Sequence, residues 1–307
     1  MEITVSAGKG GTGKTTVATN LALALEQEYD VEFYDCDVEE PDAGIFLDPE
    51  TKQSEDVNIQ VPEVNEDTCT NCGKCSDACE FNAIATFGDN TLVYPELCHG
   101  CGLCSLVCPV DAISEHDKKI GSIRKGRAGS VDYYEGDLTV GEPMATPIIR
   151  ELKKKTSSEK VSILDSPPGT ACPVIESLQG SDFALLVTEP TPFGLHDLKL
   201  SVKVAREIGI PVGVVINRDG IGNQDVEKYC QKEEVPVLLK IPNDREIAEL
   251  YSNGEPFVDR LHGWTDRFLD LYERIEELVD KAEDNAVSES GKDSTSREVG
   301  IKGAIDS

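Results

Sequence analysis

Apolar residues fall along the chain in short uninterrupted runs, and the stretches between several of these runs carry apolar residues at helical spacing. Continuous runs suit strands buried on both faces, because a half-exposed strand alternates apolar with polar. Ala184-Leu185-Leu186-Val187, Val212-Gly213-Val214-Val215-Ile216 and Val237-Leu238-Leu239 read as such strands, and Ile3-Thr4-Val5-Ser6, Val31-Glu32-Phe33-Tyr34 and Val161-Ser162-Ile163-Leu164, with polar residues among the apolar ones, read as further strands. Helical stretches at 16–28, 195–208, 223–233 and 244–252 lie among them, and Pro147 to Lys155 reads as a further helix with a basic end. This alternation predicts right-handed crossovers and a doubly wound, mostly parallel α/β sheet.

Two regions depart from the pattern. A cysteine-rich stretch interrupts the order after the second strand, and Gly121 to Val140 reads as glycine turns between short strand-like pieces. From about Ala282 the chain turns to Ser, Gly, Asp and Lys without apolar periodicity, which predicts a disordered tail over 282–307. The expected organisation is one discontinuous domain (1–61 and 118–281), an inserted domain (62–117) and that tail.

The charge balance narrows the function classes. The 307 residues include 58 Asp and Glu against 29 Lys and Arg, a net charge of -29. Sequence-independent grip on nucleic acid or an anionic membrane needs Lys and Arg to neutralise phosphate, so neither is expected as a partner. The excess is spread out: residues 1–60 hold 3 basic and 14 acidic side chains, and residues 61–117 hold 1 and 10. That reads as adaptation of the whole surface to a salty cytoplasm, where ions screen self-repulsion. Met1 leads straight into a strand and a glycine loop, unlike a signal peptide. No apolar run approaches the roughly 18 residues of a membrane span, and the amphipathic stretch Leu269 to Val279 is acidic, wrong for an anionic bilayer. A cytoplasmic protein is expected, and in a reducing compartment clustered cysteines suggest metal before disulfide.

The first strand runs into Gly8-Lys9-Gly10-Gly11-Thr12-Gly13-Lys14-Thr15, with Thr16 opening the helix. This is G-x4-G-K-T in the strand, loop, helix context that the motif requires. The glycines let consecutive N–H groups turn inward on phosphate oxygens, Lys14 reaches the β- and γ-phosphates of ATP, and the Thr15 hydroxyl suits Mg2+. A plain glycine turn explains the glycines and leaves Lys14 and Thr15 unexplained.

Eight of the 11 cysteines lie in two matching runs, C-T-N-C-G-K-C-S-D-A-C and C-H-G-C-G-L-C-S-L-V-C, both C-x2-C-x2-C-x3-C. Three thiolates at this spacing wrap one face of a cubane cluster, and two-cluster ferredoxins take the fourth ligand from the opposite run. The expected sets are Cys69, Cys72, Cys75 and Cys108 for one [4Fe-4S] cluster, and Cys98, Cys101, Cys104 and Cys79 for the other. Zinc ribbons, the competing reading, use C-x2-C pairs rather than quartets. Residues 62–117 resemble a bacterial-type ferredoxin, including Pro109 after the last cysteine; Glu80 stands where that family usually has proline.

With Lys9, the loop K-G-G-x-G-K-T resembles the deviant Walker A signature of MinD/ParA ATPases. The resemblance implies that Lys9 crosses a nucleotide-sandwiched dimer to the partner's phosphates, in a homodimer or a heterodimer with a similar chain. A lone extra lysine also suits a solvated side chain. The same resemblance makes Asp37 the positioner or base for the attacking water and puts Asp35 near the Mg2+ shell. It further makes Asp165 a Mg2+ ligand through water and Pro168-Gly169 the switch II segment, with the Gly169 N–H sensing the γ-phosphate. Asn217, Arg218, Pro242 and Asp244 match where the family holds adenine; they equally suit ordinary strand-exit turns. Cys36 and Cys230 read as buried thiols. Cys172 lies just past switch II, where the related nitrogenase iron protein has a cluster ligand, but no second cysteine accompanies it.

Over residues 1–280 the chain thus resembles MinD-superfamily ATPases with an inserted two-cluster ferredoxin domain. The resemblance implies an ATPase, and the insertion of the cysteine-rich segment beside the expected switch I region leads to the expectation of a slow, partner-stimulated cycle that gates electron transfer to a redox partner. A scaffold or metallochaperone of Mrp type, handing cofactor to an acceptor protein, is the alternative, and a MinD-like spatial organiser a weaker one.

Overall fold

The computed structural model describes residues 1–296, with side chains through residue 284. The chain opens with β1 (Glu2–Ser6), α1 (Lys14–Leu25), β2 (Val31–Asp35) and the short helix α2 (Ala43–Leu47). A long strand, β3 (Glu50–Val64), leads away to α3 (Lys74–Ala78), the hairpin β4 (Ile84–Phe87) and β5 (Asn90–Val93), and α4 (Leu103–Leu106). An equally long strand, β6 (Ile113–Ala128), returns to β7 (Val131–Leu138) and α5 (Thr146–Lys153). Alternation then resumes with β8 (Val161–Asp165), α6 (Cys172–Leu178), β9 (Phe183–Thr188), α7 (Pro192–Ile208), β10 (Val212–Asp219), α8 (Asp225–Lys232) and β11 (Val237–Pro242). Helices α9 (Arg245–Ser252) and α10 (Trp264–Ser296) follow.

Nine strands form one sheet in the order β11-β10-β9-β1-β8-β2-β7-β6-β3. The strands from β11 to β7 are mutually parallel, and β6 runs antiparallel to both its neighbours. The expected mostly parallel sheet is therefore present, with an antiparallel extension at one edge. Strand β9 shows why its run is apolar throughout: Phe183, Leu185 and Val187 pack with α1 and α10 on one face, while Ala184 and Leu186 pack with α6, α7 and α8 on the other. A large apolar side chain buried in this way stabilises the fold by about 1.5–3 kcal/mol. A third core joins α5 to the sheet extension through Ile148, Ile149, Ile120, Ile123, Ile59 and Val61.

Three expectations need revision. Residues 121–140 are two long strands with a turn at Gly129, not short pieces between glycine turns. Gly121 and Gly136 are interior strand positions where a Cβ would lie 2.4 Å from the Asp137 carbonyl oxygen and 2.5 Å from Val38, so these glycines permit close packing instead of chain reversal. Strands β3 and β6 pair from Glu50 with Arg127 to Val64 with Ile113, running through both expected domain boundaries. The expected tail begins as helix, since α10 continues to Ser296; residues 297–307 lie outside the described residues. Among the described residues no helix is long and apolar enough to cross a membrane.

Candidate functional site

Beyond β1 the chain turns through Gly8–Gly13 at the C-terminal edge of the parallel strands, where open α/β sheets bind ligands. Gly11 and Gly13 have φ of +79° and +92°, conformations that cost other residues energy. A Cβ on Gly13 would stand 2.2 Å from Asn217 Nδ2, and one on Gly8 2.6 Å from Asp197. Helix α1 begins at Lys14, so its unpaired first N–H groups open onto the loop and favour an anion there.

Lys14 is buried beneath this loop, its Nζ 2.6 Å from Asp165 Oδ1 and 3.8 Å from Asp37 Oδ2. Burial works against its charge, but the facing carboxylates of Asp165, Asp37 and Asp35 outweigh that and raise its pKa. Burial pushes the Asp37 carboxyl up to about 6 against the pull of Lys14. Burial, then the charge of Asp165, holds Asp35 well above the carboxylate range, and burial raises Asp165 in spite of Lys14. Asp35 accepts hydrogen bonds from the backbone N–H of Asp37 (3.1 Å) and Ala43 (3.0 Å), so it shapes the loop after β2. Lys9 is half-buried, outside the ion-pair cluster that Lys14 joins.

Asp165 Oδ2 is buried without a hydrogen-bond partner, as is Asp42 Oδ1. Leaving such an oxygen unpaired costs about 1–3 kcal/mol. Hard oxygen donors of this kind fit Mg2+ or its bound water. Pro168 is exposed and the N–H of Gly169, at φ +102°, donates to the Ala7 carbonyl over 2.9 Å.

Beside the loop a cavity of about 120 Å³ joins Gly11, Gly13 and Thr16 to Asn217, Arg218, Pro242 and Asp244. Asn217 ties the sides together, since its Nδ2 donates to the Thr12 carbonyl over 2.8 Å. Arg218, at φ +53°, reaches back to Glu189 over 2.7 Å. Asp244 caps α9 by accepting from the Glu246 N–H over 2.7 Å. Asn243, in the same strand-exit turn as Pro242 and Asp244, joins the wall, and sequence reasoning missed Ile247, Ala248 and Tyr251 there. Ile247 and Tyr251 stand at i and i+4 on a helix that buries none of its residues.

The two cysteine runs fold alike. Asn71 and Gly73 have φ of +50° and +77°, and their counterparts Gly100 and Gly102 have +65° and +72°. Past the fourth cysteine of each run, Asn82 and Asp111 have φ of +53° and +51°. The chain then turns so that the Ala83 N–H donates to Cys79 Sγ over 3.3 Å and the Ala112 N–H to Cys108 Sγ over 3.2 Å. Cys69, Cys72, Cys75 and Cys108 ring one cavity, and Cys98, Cys101, Cys104 and Cys79 ring another. Each cavity thus takes three cysteines from one run and one from the other. All 11 cysteines are free thiols, and among the described residues no three His, Cys, Asp or Glu side chains converge as they would on a single ion. The Lys74 backbone N–H lowers the pKa of the exposed Cys72, while burial raises that of Cys98. Cys36 and Cys230 are buried, as expected; Cys172 is exposed at the start of α6.

The chain is similar to known proteins along most of its length. An uncharacterized protein of Methanocaldococcus jannaschii is 32% identical over 282 residues, 91% of this chain and 96% of its own. An iron-sulfur cluster carrier protein of Pyrococcus horikoshii is 27% identical over 298 residues, covering 91% of this chain and 86% of that one. Among solved structures, the septum site-determining protein MinD of P. horikoshii, complexed with Mg-ADP, shares the fold with a TM-score of 0.56 at 21% identity, over 92% of this chain and 98% of that one. Residues 3–257 match the CobQ/CobB/MinD/ParA nucleotide binding domain, and the chain belongs to that family.

Proposed function

We propose that the chain binds and slowly hydrolyses Mg-ATP as a dimer, holds two [4Fe-4S] clusters, and uses its nucleotide state to gate electron transfer to a partner protein. The observation that carries this reading is strand β3. It follows α2, whose first N–H is held by Asp35, and runs paired with β6, through register shifts at Thr51/Gln53 and Val57/Asn58, to Val64, just short of the first cysteine run. A change in the loop after β2 is thereby delivered to the cysteine domain along one hydrogen-bonded strand pair.

In this reading the loop N–H groups and Lys14 hold the phosphates, and Thr15 with Asp165 holds Mg2+. Lys9 supplies charge to the partner's phosphates. Asp37 positions water or takes its proton, positioning and electrostatics accounting for most of such catalysis. The Gly169 N–H exchanges the Ala7 carbonyl for a γ-phosphate oxygen, and the cavity at Asn217 and Pro242 takes adenine. Eight thiolates hold the clusters, which supply one-electron chemistry when bound.

The experiment is reduction of a one-electron acceptor by anaerobically purified, dithionite-reduced protein with Mg-ATP, Mg-ADP or no nucleotide. A rate that depends on the nucleotide supports the gate, and equal rates overturn it. A cluster-carrier role is the second reading, favoured by the name of the P. horikoshii relative. It predicts iron that moves to an apo acceptor protein, whereas clusters stable through repeated reduction favour electron transfer.

A further inference from the structure

The two cysteine sets have nearly the same backbone. Their left-handed positions correspond, and each receives an N–H from the alanine four residues beyond its run's last cysteine. Much of the backbone therefore acts on both sets alike; the Gly100 N–H donates to Cys98 Sγ over 3.4 Å, where the equivalent Cys69 Sγ faces Asn71 Oδ1 at 3.5 Å, and a further difference lies in the side chains lining each cavity. Those side chains do differ. The first cavity, Cys69, Cys72, Cys75 and Cys108, has Lys74 as its one charged lining residue, and Thr91 Oγ1 lies 3.8 Å from Cys69 Sγ. The second, Cys79, Cys98, Cys101 and Cys104, is lined by Glu115 and by His99, whose ring stacks on Phe81 at 3.5 Å. The Ser105 hydroxyl, a candidate donor to the second set, is bound to Glu115 over 2.5 Å. Glu80, next to Cys79, and Asp111, past Cys108, line neither cavity.

We infer that Lys74 and Glu115 make the two sets unequal, so that a single electron added to the chain resides at Cys69, Cys72, Cys75 and Cys108 in preference to Cys79, Cys98, Cys101 and Cys104. The inference rests on reading both sets as cluster sites. Adding an electron adds negative charge, which a neighbouring ammonium favours and a neighbouring carboxylate opposes. Lys74 and Glu115 are exposed, so water screens both. An exposed unit charge a few ångströms away shifts such an equilibrium about threefold, and opposite charges at the two sites multiply to about tenfold.

The preferred set is also the outer one. Cys79 and Cys98 belong to the core that contains Ile59 and Val61, whereas the first cavity is walled by Val64 and Ile113 at the far end of the β3 and β6 pair. A low-potential one-electron donor that reduces the inner set thus leaves the electron at the outer set, away from the nucleotide loop.

The test is an anaerobic redox titration followed by EPR at fixed pH, on protein whose iron and sulfide have been counted. The wild-type chain should show two one-electron midpoints. Lys74→Gln should lower only the higher one and Glu115→Gln raise only the lower one, each about threefold in equilibrium, near 28 mV at 59 mV per decade. Midpoints that do not move, or a Lys74→Gln change confined to the lower one, overturn this inference while a full iron count leaves the cluster reading intact. An iron count far below eight per chain overturns the cluster reading, and this inference with it.

Discussion

Asp37 is the carboxylate whose ionisation the fold opposes to a readable extent, and replacing it should change how stability varies with pH. Burial pushes its pKa from the ordinary 3.8 to about 6. Between those values the native chain binds more protons at this site than the unfolded chain. Stability therefore falls as pH rises through that window, and the loss is complete above the folded value. Two units at 1.36 kcal/mol each amount to about 3 kcal/mol. Because the side chain is 17% exposed, solvent screening leaves most of that in place. Roughly half of the loss, a little over 1 kcal/mol, develops between pH 5 and pH 8. Asp37→Asn abolishes the titration while keeping the shape. In urea unfolding of nucleotide-free, Mg2+-free protein under argon, the stability of Asp37→Asn relative to wild type should grow across that range by about this amount. Asp35 and Asp165 titrate in both proteins and largely cancel in the difference. Parallel curves would show that Asp37 is not held as the structure has it.

Lys14→Ala leaves Asp165 buried without its cation, and should cost the nucleotide-free chain about 3–5 kcal/mol in the same unfolding assay. Gly13→Ala forces a Cβ to within 2.2 Å of Asn217 Nδ2 at φ +92°. A lowered melting temperature of the nucleotide-free chain is expected, against a near-normal one for Gly10→Ala, where a Cβ meets open space. Cys108→Ala should disturb the cluster of Cys69, Cys72 and Cys75 and spare that of Cys98, Cys101 and Cys104; the reverse pattern in EPR would contradict the crossed sets. A net charge of -29 predicts that melting temperature rises with KCl, and a flat series would remove the link between acidity and a salty interior.

The parallel sheet was legible because strands buried on both faces leave continuous apolar runs, as at 184–187 and 214–216. Long strands β6 and β7 were hidden because glycines at 121, 126 and 136, which usually mark turns, here make room for neighbouring chain. In the site, Lys14, Asp165 and Asp37 were legible by motif and position, and the structure brings them together. The eight cysteines were legible by spacing alone, and the structure rings two cavities with the expected sets. The α9 wall of the cavity beside the loop was not legible as such. Ile247 and Tyr251 resemble any amphipathic helix face until the fold packs Ile247 against the core and Tyr251 on Phe46 while both line the cavity.

The most direct test of the account is to purify the chain without oxygen, count iron and sulfide, and record EPR spectra of the reduced protein with and without Mg-ATP. Eight irons and eight sulfides per chain are expected, four for each set of four cysteines, with a spectrum that changes when Mg-ATP binds. Protein without iron, or a fully loaded protein whose spectrum ignores Mg-ATP, would contradict the coupling of nucleotide state to the cysteine domain.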